Sequence, residues 1–345
     1  MFEIDGSLKS GSGTILRLAV AFSAITKKQL RIYNIRHNRP QPGLKPQHLE
    51  AVLTAAKLCN AEIKGAKLNS RELSFNPGTI RGGNIEAQIG TAGSIPMLLL
   101  TILPICAASE EPVKIHVTNG GTDTANAPTI NYLDNVLLTM LSKMGISASI
   151  SVHKYGYYPK GMGEVTLTVK PTGPKNPIRL QNFRGLRIVR GVSTCTFLAD
   201  KRVAERQANA AREYLSARGL ISDIRVVNDF SNPMQKGSSI ALWTENEGEA
   251  ILGSDSKGEM GKPSERVGIE AAERLFSEIQ AKSTVDVHLA DMLIPYIALT
   301  EGSSVFFTRM ISEHLETNMW LASKMLGTRF NTGKENRLFR VEKSD

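Results

Sequence analysis

The sequence predicts a mixed α/β fold, of the α/β or α+β kind, made of a repeated supersecondary unit and interrupted by one insertion. Three observations carry this. Apolar residues switch between helical and strand periods along most of the 345 residues. The first 180 residues show one order of elements twice: helix, strand, helix, strand, strand. A third copy stands at the far end, beyond material of a different pattern.

The first copy opens on the Gly-rich turn Gly11-Ser12-Gly13, and a helical apolar period follows over residues 15–25. A strand is expected over 30–35. A Pro/Gly turn then leads to a helix over 46–58 and strands near 61–63 and 73–75. The second copy starts at Gly90-Thr91-Ala92-Gly93, with a helix over 95–107, a strand over 113–117 and a Gly/Asp/Pro turn over 120–128. A long helix over 130–144 and strands over 148–152 and 164–169 complete it. The third copy reads as a helix over 289–299, a strand over 304–308, a helix over 314–325, and closing strands near 329 and 338–341. Between copies two and three, after the loop Pro171-Thr172-Gly173-Pro174, lie a charged helix over 202–218, an apolar strand over 240–243 and a helix over 269–279. The predicted division is a large domain over 1–180, an inserted smaller domain over 181–282, and the rest of the large domain over 283–345.

Composition narrows the function. Lys and Arg number 42 against 33 Asp and Glu, a net charge of +9, which favours an anionic partner such as nucleic acid, nucleotide or a membrane surface, or serves solubility as diffuse charge. The N-terminal MFEIDGSLKSGSG has no cationic-then-apolar leader. The longest apolar run, residues 94–108, is shorter than the roughly 20 residues of a membrane span and holds two prolines. A soluble, cytoplasmic protein with no membrane partner is expected. Three distant cysteines, Cys59, Cys106 and Cys195, exclude a disulfide framework and a CxxC zinc site, and read as buried thiols. Aromatic residues make up only 6%, with no run suited to stacking RNA on a sheet.

Four segments carry candidate chemistry. The turn before the first helix exposes amides that suit phosphate, or serves as a tight structural turn. The loop RHNRPQPGLKPQH (36–48) holds Arg36, Arg39 and Lys45 with two histidines, His37 and His48, stiffened by three prolines and Gly43; a solvated basic loop is the alternative. Fork-shaped guanidinium donors on a stiff loop suit bidentate phosphate recognition, and Arg17 on the first helix can join them. The six histidines show no HxH or HxxxH spacing, so a histidine metal site lacks support. His314 precedes Thr317 and Asn318 by one helical turn, the spacing at which side chains meet. A neutral imidazole held by such partners is a competent nucleophile toward phosphorus; a satisfied structural histidine is the alternative. His288 can stack on a base or simply end a strand, and the Pro128 ring can sandwich an aromatic base.

Taken together, these segments resemble the RNA 3′-terminal phosphate cyclase family. The matching text is DGS…GTILR (5–17), IRxxRPxPGLKPQHL (35–49), PGTIRGG (77–83), GTAGS (90–94) and GGTDTANAP (120–128). It continues as YYPKGMGEV (157–165), RVAER (202–206), GKPSERVGIEAA (261–272), HLADMLIPYIAL (288–299) and HLETN (314–318). The resemblance covers essentially the whole chain, with its motifs in order.

The resemblance implies a large domain of βαβαββ repeats akin to enolpyruvyl transferases and an inserted domain of thioredoxin-like topology. It implies ATP and a divalent metal, Mg or Mn. It implies that His314 attacks the α-phosphorus of ATP to form a covalent adenylate. AMP then passes to a 3′-phosphate at an RNA end, and the neighbouring 2′-hydroxyl displaces it, leaving a 2′,3′-cyclic phosphate. Arg17, Arg36 and Arg39 would neutralise phosphates, Pro128 and His288 would flank adenine, and Leu289, Ala290 and Asp291 complete the HLAD element. Lys45, Gln47 and His48 would serve the RNA or its phosphate, and Thr317 and Asn318 would support His314. Three positions depart from the family pattern: Ser10 stands where a metal-holding glutamate is usual, and Leu100 and Met292 stand where glutamines are usual. They admit a second reading, a weakened or inactive cyclase-like RNA-binding factor of rRNA processing or ribosome assembly.

Overall fold

The computed structural model describes residues 1–344. Strand β1 (Phe2–Asp5) runs parallel to β2 (Leu30–Tyr33), a pairing that needs a crossover, and helix α1 (Gly13–Thr26) supplies it. Helix α2 (Pro46–Cys59) follows, then β3 (Glu62–Lys64) and β4 (Leu73–Asn76). β4 inserts antiparallel between β2 and β3, so the sheet order is β1-β2-β4-β3. The second set repeats the plan. β5 (Gly83–Gln88), α3 (Ile95–Cys106) and β6 (Val113–Gly120) precede a helix in three parts. These are α4 (Ile130–Tyr132), a π-helical segment (Leu133–Leu137) and α5 (Leu138–Lys143). β7 (Ala148–Lys154) and β8 (Gly163–Val169) close the order β5-β6-β8-β7.

The chain then builds a separate sheet. β9 (Leu186–Thr196), α6 (Val203–Ser216), β10 (Ser222–Asp229), β11 (Gly237–Asn246), β12 (Gly253–Lys257) and α7 (Ser264–Ala281) give the order β10-β9-β11-β12. Its core is its own, with Val189, Ile224, Ile240 and Leu242 packed on Ala211, Leu215, Val267 and Leu275 of the two helices. Afterwards come α8 (Val287–Ala298), β13 (Ser304–Thr308), α9 (Glu313–Leu326), β14 (Arg329–Glu335) and β15 (Leu338–Ser344), in the order β13-β15-β14. The leading strand of this third set is reduced to residues 178–180. Val305 donates its amide to the Ile178 carbonyl at 2.8 Å, and Leu180 donates to the Val305 carbonyl at 2.8 Å. The chain thus leaves the third unit after its first strand, builds the extra sheet, and returns for the first helix.

One hydrophobic core joins the three repeated sheets through their helices. Helices α1 and α3 are buried almost all round, as their nearly continuous apolar sequences require. In β6, Val113, Ile115 and Val117 face this core while Lys114, His116 and Thr118 face outward.

Expected helices and the apolar strands occur close to their predicted places, so the α/β reading of the class holds. Five strands are additional: β1, β5, β9, β10 and β12. The first two are short or mostly exposed, and β12, GSDSK, has no apolar residue although it is largely buried. The 30–35 strand stops at Tyr33 because Asn34 and Arg36 turn left-handed, at φ 53° and 55°. The helix expected over 269–279 begins five residues earlier. All three cysteines are free and buried. Among the described residues no helix is long and apolar enough to cross a membrane.

Candidate active site

A cavity of about 570 Å³ opens where the N-terminal ends of α1, α8 and α9 converge on the turn before α4 and on the extra sheet. This volume is in the range of small-molecule sites, roughly 300–1,000 Å³. Helical spacing selects the lining. Thr14, Arg17 and Leu18 come from one face of α1; His288, Asp291, Met292 and Pro295 from one face of α8; His314 and Asn318 from α9. Met97 and Leu100 of α3, with Asn126 and Pro128 of the turn, add an apolar wall and a rim. Each converging helix starts on a capping side chain. Ser12 accepts from the Thr14 amide at 3.3 Å, Ser312 from Leu315 at 2.9 Å, and Asp286 from His288 and Leu289 at 3.0 Å. Helix N-termini carry partial positive charge, so the cavity is biased toward anions before any side chain is counted.

The side chains strengthen that bias. Burial first, then the neighbouring Arg36 and Arg39, push the Arg17 guanidinium down to about 10; no carboxylate compensates. The group still carries its proton at neutral pH. It also donates to Thr14 Oγ1 at 2.8 Å, which fixes its direction. His314 lies half-buried, and burial first, then Arg17 and Arg39, hold its imidazole below the ordinary histidine value. It is therefore neutral at pH 7. Its Nδ1 is buried without a partner, as is Asn318 Oδ1. Buried polar atoms ordinarily find a partner, and both of these belong to residues that line the cavity.

Asp291 and His314 are placed relative to one another by two contacts between α8 and α9. Ser312 Oγ donates to the Asp291 carboxylate, and Asn318 Nδ2 donates to the Asp291 carbonyl at 2.8 Å. Burial raises Asp291 to about 7. Behind them, Asp286 accepts from Tyr132 Oη at 2.8 and 2.9 Å and from the Gly253 amide at 2.9 Å. One buried carboxylate thus ties α4, the extra sheet and the start of α8. Asp255 likewise takes the Thr129 amide at 2.5 Å, and Lys257 donates to the Ala127 carbonyl.

Of the residues singled out from sequence, Arg17, Pro128, His288, Asp291, His314 and Asn318 line the cavity together, as do the departures Leu100 and Met292. Others fall elsewhere. Leu289 and Ala290 are fully buried in the main core, because the helix that turns 288, 291 and 292 to the cavity turns 289 and 290 away. Arg36 spends Nη1 on the Gln41 and Gly43 carbonyls at 2.7 and 2.9 Å, bracing its own loop, and acts on the cavity through Arg17. Arg39 reaches His314 through its field. Lys45 donates to Asn69 Oδ1 at 3.0 Å and Gln47 accepts from the Ser94 amide at 2.6 Å, so both brace loops. His48 is buried and pushed down to about 3 by burial and three cations, so its neutral ring adds no charge for RNA. It packs under Gly13, where an added Cβ would lie 2.3 Å from its Nε2. Thr317 and Asn318 do not hold the imidazole: Thr317 Oγ1 donates to the Glu313 carbonyl at 2.6 Å and accepts from the Ser10 amide at 3.3 Å. His288 starts a helix and ends no strand.

The cavity also takes Asp255, Lys257, Glu259 and Lys262 from the extra sheet and its following loop, and Arg274 from α7. Sequence reasoning assigned none of these, although GKPSERVGIEAA was among the matched motifs; a charged, Gly-rich run reads equally as a solvated loop. A divalent cation does not fit as a protein-held centre. No cluster of three or more His, Cys, Asp or Glu able to hold a metal occurs among the described residues. Asp255 and Asp291 are spent on Thr129 and Ser312, and the Ser10 hydroxyl faces Ser12 Oγ at 3.0 Å.

Comparison with known proteins bears on the same arrangement. Residues 8–332 match the family model described as RNA 3′-terminal phosphate cyclase. An RNA 3′-terminal phosphate cyclase of Pyrococcus furiosus is 42% identical over 330 residues, covering 96% of this chain and 94% of its own. One from Archaeoglobus fulgidus is 43% identical over 327 residues, covering 95% and 96%. One from Methanosarcina barkeri is 42% identical over 347 residues, spanning both chains in full. With a match this long running through the cavity-lining helices, the chain belongs to the RNA 3′-terminal phosphate cyclase family.

Proposed function

We propose that this protein converts the 3′-phosphate of an RNA end to a 2′,3′-cyclic phosphate at the expense of ATP. The observation that carries the reading is His314, its imidazole held below the ordinary histidine value, lining one cavity with the buried Arg17, which no carboxylate compensates. A ring nitrogen of His314 forms a bond to the α-phosphorus of ATP, and the bond to the diphosphate leaving group breaks. An oxygen of the RNA phosphate then takes the phosphorus from His314, giving an RNA-adenylate. The vicinal 2′-oxygen closes on the 3′-phosphorus, and AMP leaves with its oxygen. The last step is favoured because nucleophile and electrophile belong to one ribose. Arg17, with Arg36 and Arg39 behind it, stabilises charge on the transferring phosphoryl group. Pro128 and His288 border the base.

The domain division 1–180, 181–282 and 283–345, the likeness of the repeats to enolpyruvyl transferases, the thioredoxin-like insertion and a cytoplasmic location belong to the same proposal. Each unit's strand order supports the first two. Incubation with α-labelled ATP tests the chemistry: an acid-labile adduct is expected, and it disappears in His314→Ala. Lack of the adduct, or its survival in that variant, overturns the reading. Ser10 turned onto Ser12, with Leu100 and Met292 lining the cavity, favours the second reading, a weakened or inactive RNA-binding factor of rRNA processing or ribosome assembly. Tight ATP binding counts against it.

A further inference from the structure

We infer that the seam between the second sheet and the extra sheet carries a track for single-stranded RNA, which holds the bases upstream of the terminal phosphate. The inference rests on the proposed function for its substrate and goes beyond it in assigning a second binding surface. Two loops meet at this seam. One spans 157–163 and the other 229–237. Tyr157 of the first packs flat on Gly237 of the second, where a Cβ would lie 2.1 Å from the ring. Asn232 Nδ2 donates to the Tyr155 and Gly161 carbonyls at 2.6 and 3.1 Å. The Lys160 amide donates to Gln235 Oε1 at 3.2 Å. The backbone is therefore held, while the large side chains point out. Tyr158 is 78% exposed, Phe230 62% and Met234 53%. Phe230 meets Phe197 edge-on, with ring centroids 5.7 Å apart, and still leaves most of its surface to water; exposed apolar groups of this size mark interaction sites.

Charge selects the partner. Lys160 follows Tyr158 by two residues on the first loop, Lys236 lies on the same loop as Phe230, and both are exposed. Aromatic faces interleaved with lysines suit single-stranded nucleic acid, whose bases stack while its backbone follows the cations. A duplex hides its base faces and gains nothing from the rings. Two backbone contacts tie the seam to segments that line the cavity. Tyr157 bridges Asp123, three residues before the cavity-lining Asn126. The Gly258 amide donates to the Ser238 carbonyl at 2.9 Å, between the cavity-lining Lys257 and Glu259. A chain whose 3′ end enters the cavity thus meets the rings as it leaves.

The test measures binding by fluorescence anisotropy, independently of catalysis. The probes are a 3′-phosphorylated single strand of roughly 12 nucleotides, long enough for several stacked bases, and a 3′-phosphorylated dinucleotide. Tyr158→Ala and Phe230→Ala are each expected to weaken the longer strand by roughly 5- to 100-fold, the range of base-on-aromatic stacking. The dinucleotide is expected to bind them like wild type. Tyr158→Phe and Phe230→Tyr keep a ring and are expected to restore affinity. Lys160→Glu with Lys236→Glu is expected to lower the salt slope by about 1.4, at roughly 0.7 per phosphate contact. Unchanged affinity of the alanine variants for the long strand overturns the track, as does equal loss on the dinucleotide or equally strong binding of blunt duplex RNA. If the wild-type protein forms no adduct with ATP while these variants still lose single-strand affinity, the proposed chemistry falls and the track stands.

Discussion

Asp286→Ala is the sharpest test of how the site is held. The carboxylate is buried and serves four groups at once: the Tyr132 hydroxyl, the Gly253 amide, and the His288 and Leu289 amides that open α8. Losing an N-cap costs about 1 kcal/mol. Orphaning the Tyr132 hydroxyl and the Gly253 amide costs about 1–3 kcal/mol each. Against this, burial raises the carboxyl's pKa, so part of the loss is offset by no longer holding an ionised group there. The net expectation is a destabilisation of about 2–5 kcal/mol. A thermal midpoint lower by about 3–7 °C follows, since an unfolding entropy of roughly 2.1 cal/mol/K per residue gives about 1.4 °C per kcal/mol for 345 residues. Since α8 carries His288 and Asp291 into the cavity, ATP affinity is expected to fall with it. Asp286→Asn keeps one acceptor and sheds the buried charge, so it is expected to lose less than half as much. Thermal unfolding of both variants, with ATP titration by calorimetry, reads the result. A change below about 0.5 kcal/mol in Asp286→Ala, the level of a neutral surface substitution, refutes the claim that this carboxylate joins the three elements.

Three further outcomes follow. The imidazole of His314 is held below the ordinary histidine value, so adduct formation is expected to persist as pH falls through that value and fail only below it; Arg39→Gln moves this acid limb upward, read from a pH profile of labelling. Asp291 is raised to about 7 in the fold and ionises near 4 when unfolded, so the folded state binds the extra proton and stability is lost as pH rises across that window. Asp291→Asn is expected to gain on wild type between pH 4.5 and 8 by up to on the order of 3 kcal/mol, about 2.5 units between pH 4.5 and the folded value at 1.36 kcal/mol each, read from denaturant midpoints at the two pH values. Gly13→Ala puts a methyl 2.3 Å from His48 Nε2 and 2.9 Å from Arg17 Nη1. It is expected to cost about 1–3 kcal/mol and to weaken ATP binding by displacing Arg17, measured by calorimetry and thermal unfolding.

Much of this was determined by local sequence. Apolar periodicity marked the helices, because a helix that buries one face or all faces must write that choice every three or four residues. Repetition of that pattern marked the duplicated unit, and motif order marked the family. His314, Arg17, Asp291, His288 and Pro128 were legible because each sits in a distinctive run. The tertiary structure alone decided the remainder. β5 and β12 have little or no apolar period, and they are strands because neighbours supply their hydrogen bonds and, for β12, the cover of α7. Leu289 and Ala290 belong to a matched motif yet face the core, since rotation of the helix separates adjacent residues. Lys257, Lys262 and Arg274 enter the cavity only because the extra sheet folds back against the turn before α4, bringing together residues more than 100 positions apart. Asp286 draws no notice in the sequence, where the helix is expected to begin only at 289. Its role as a junction exists only where Tyr132 and Gly253 arrive from elsewhere in the chain, since sequence records each residue's chemistry and the fold decides which distant partner meets it.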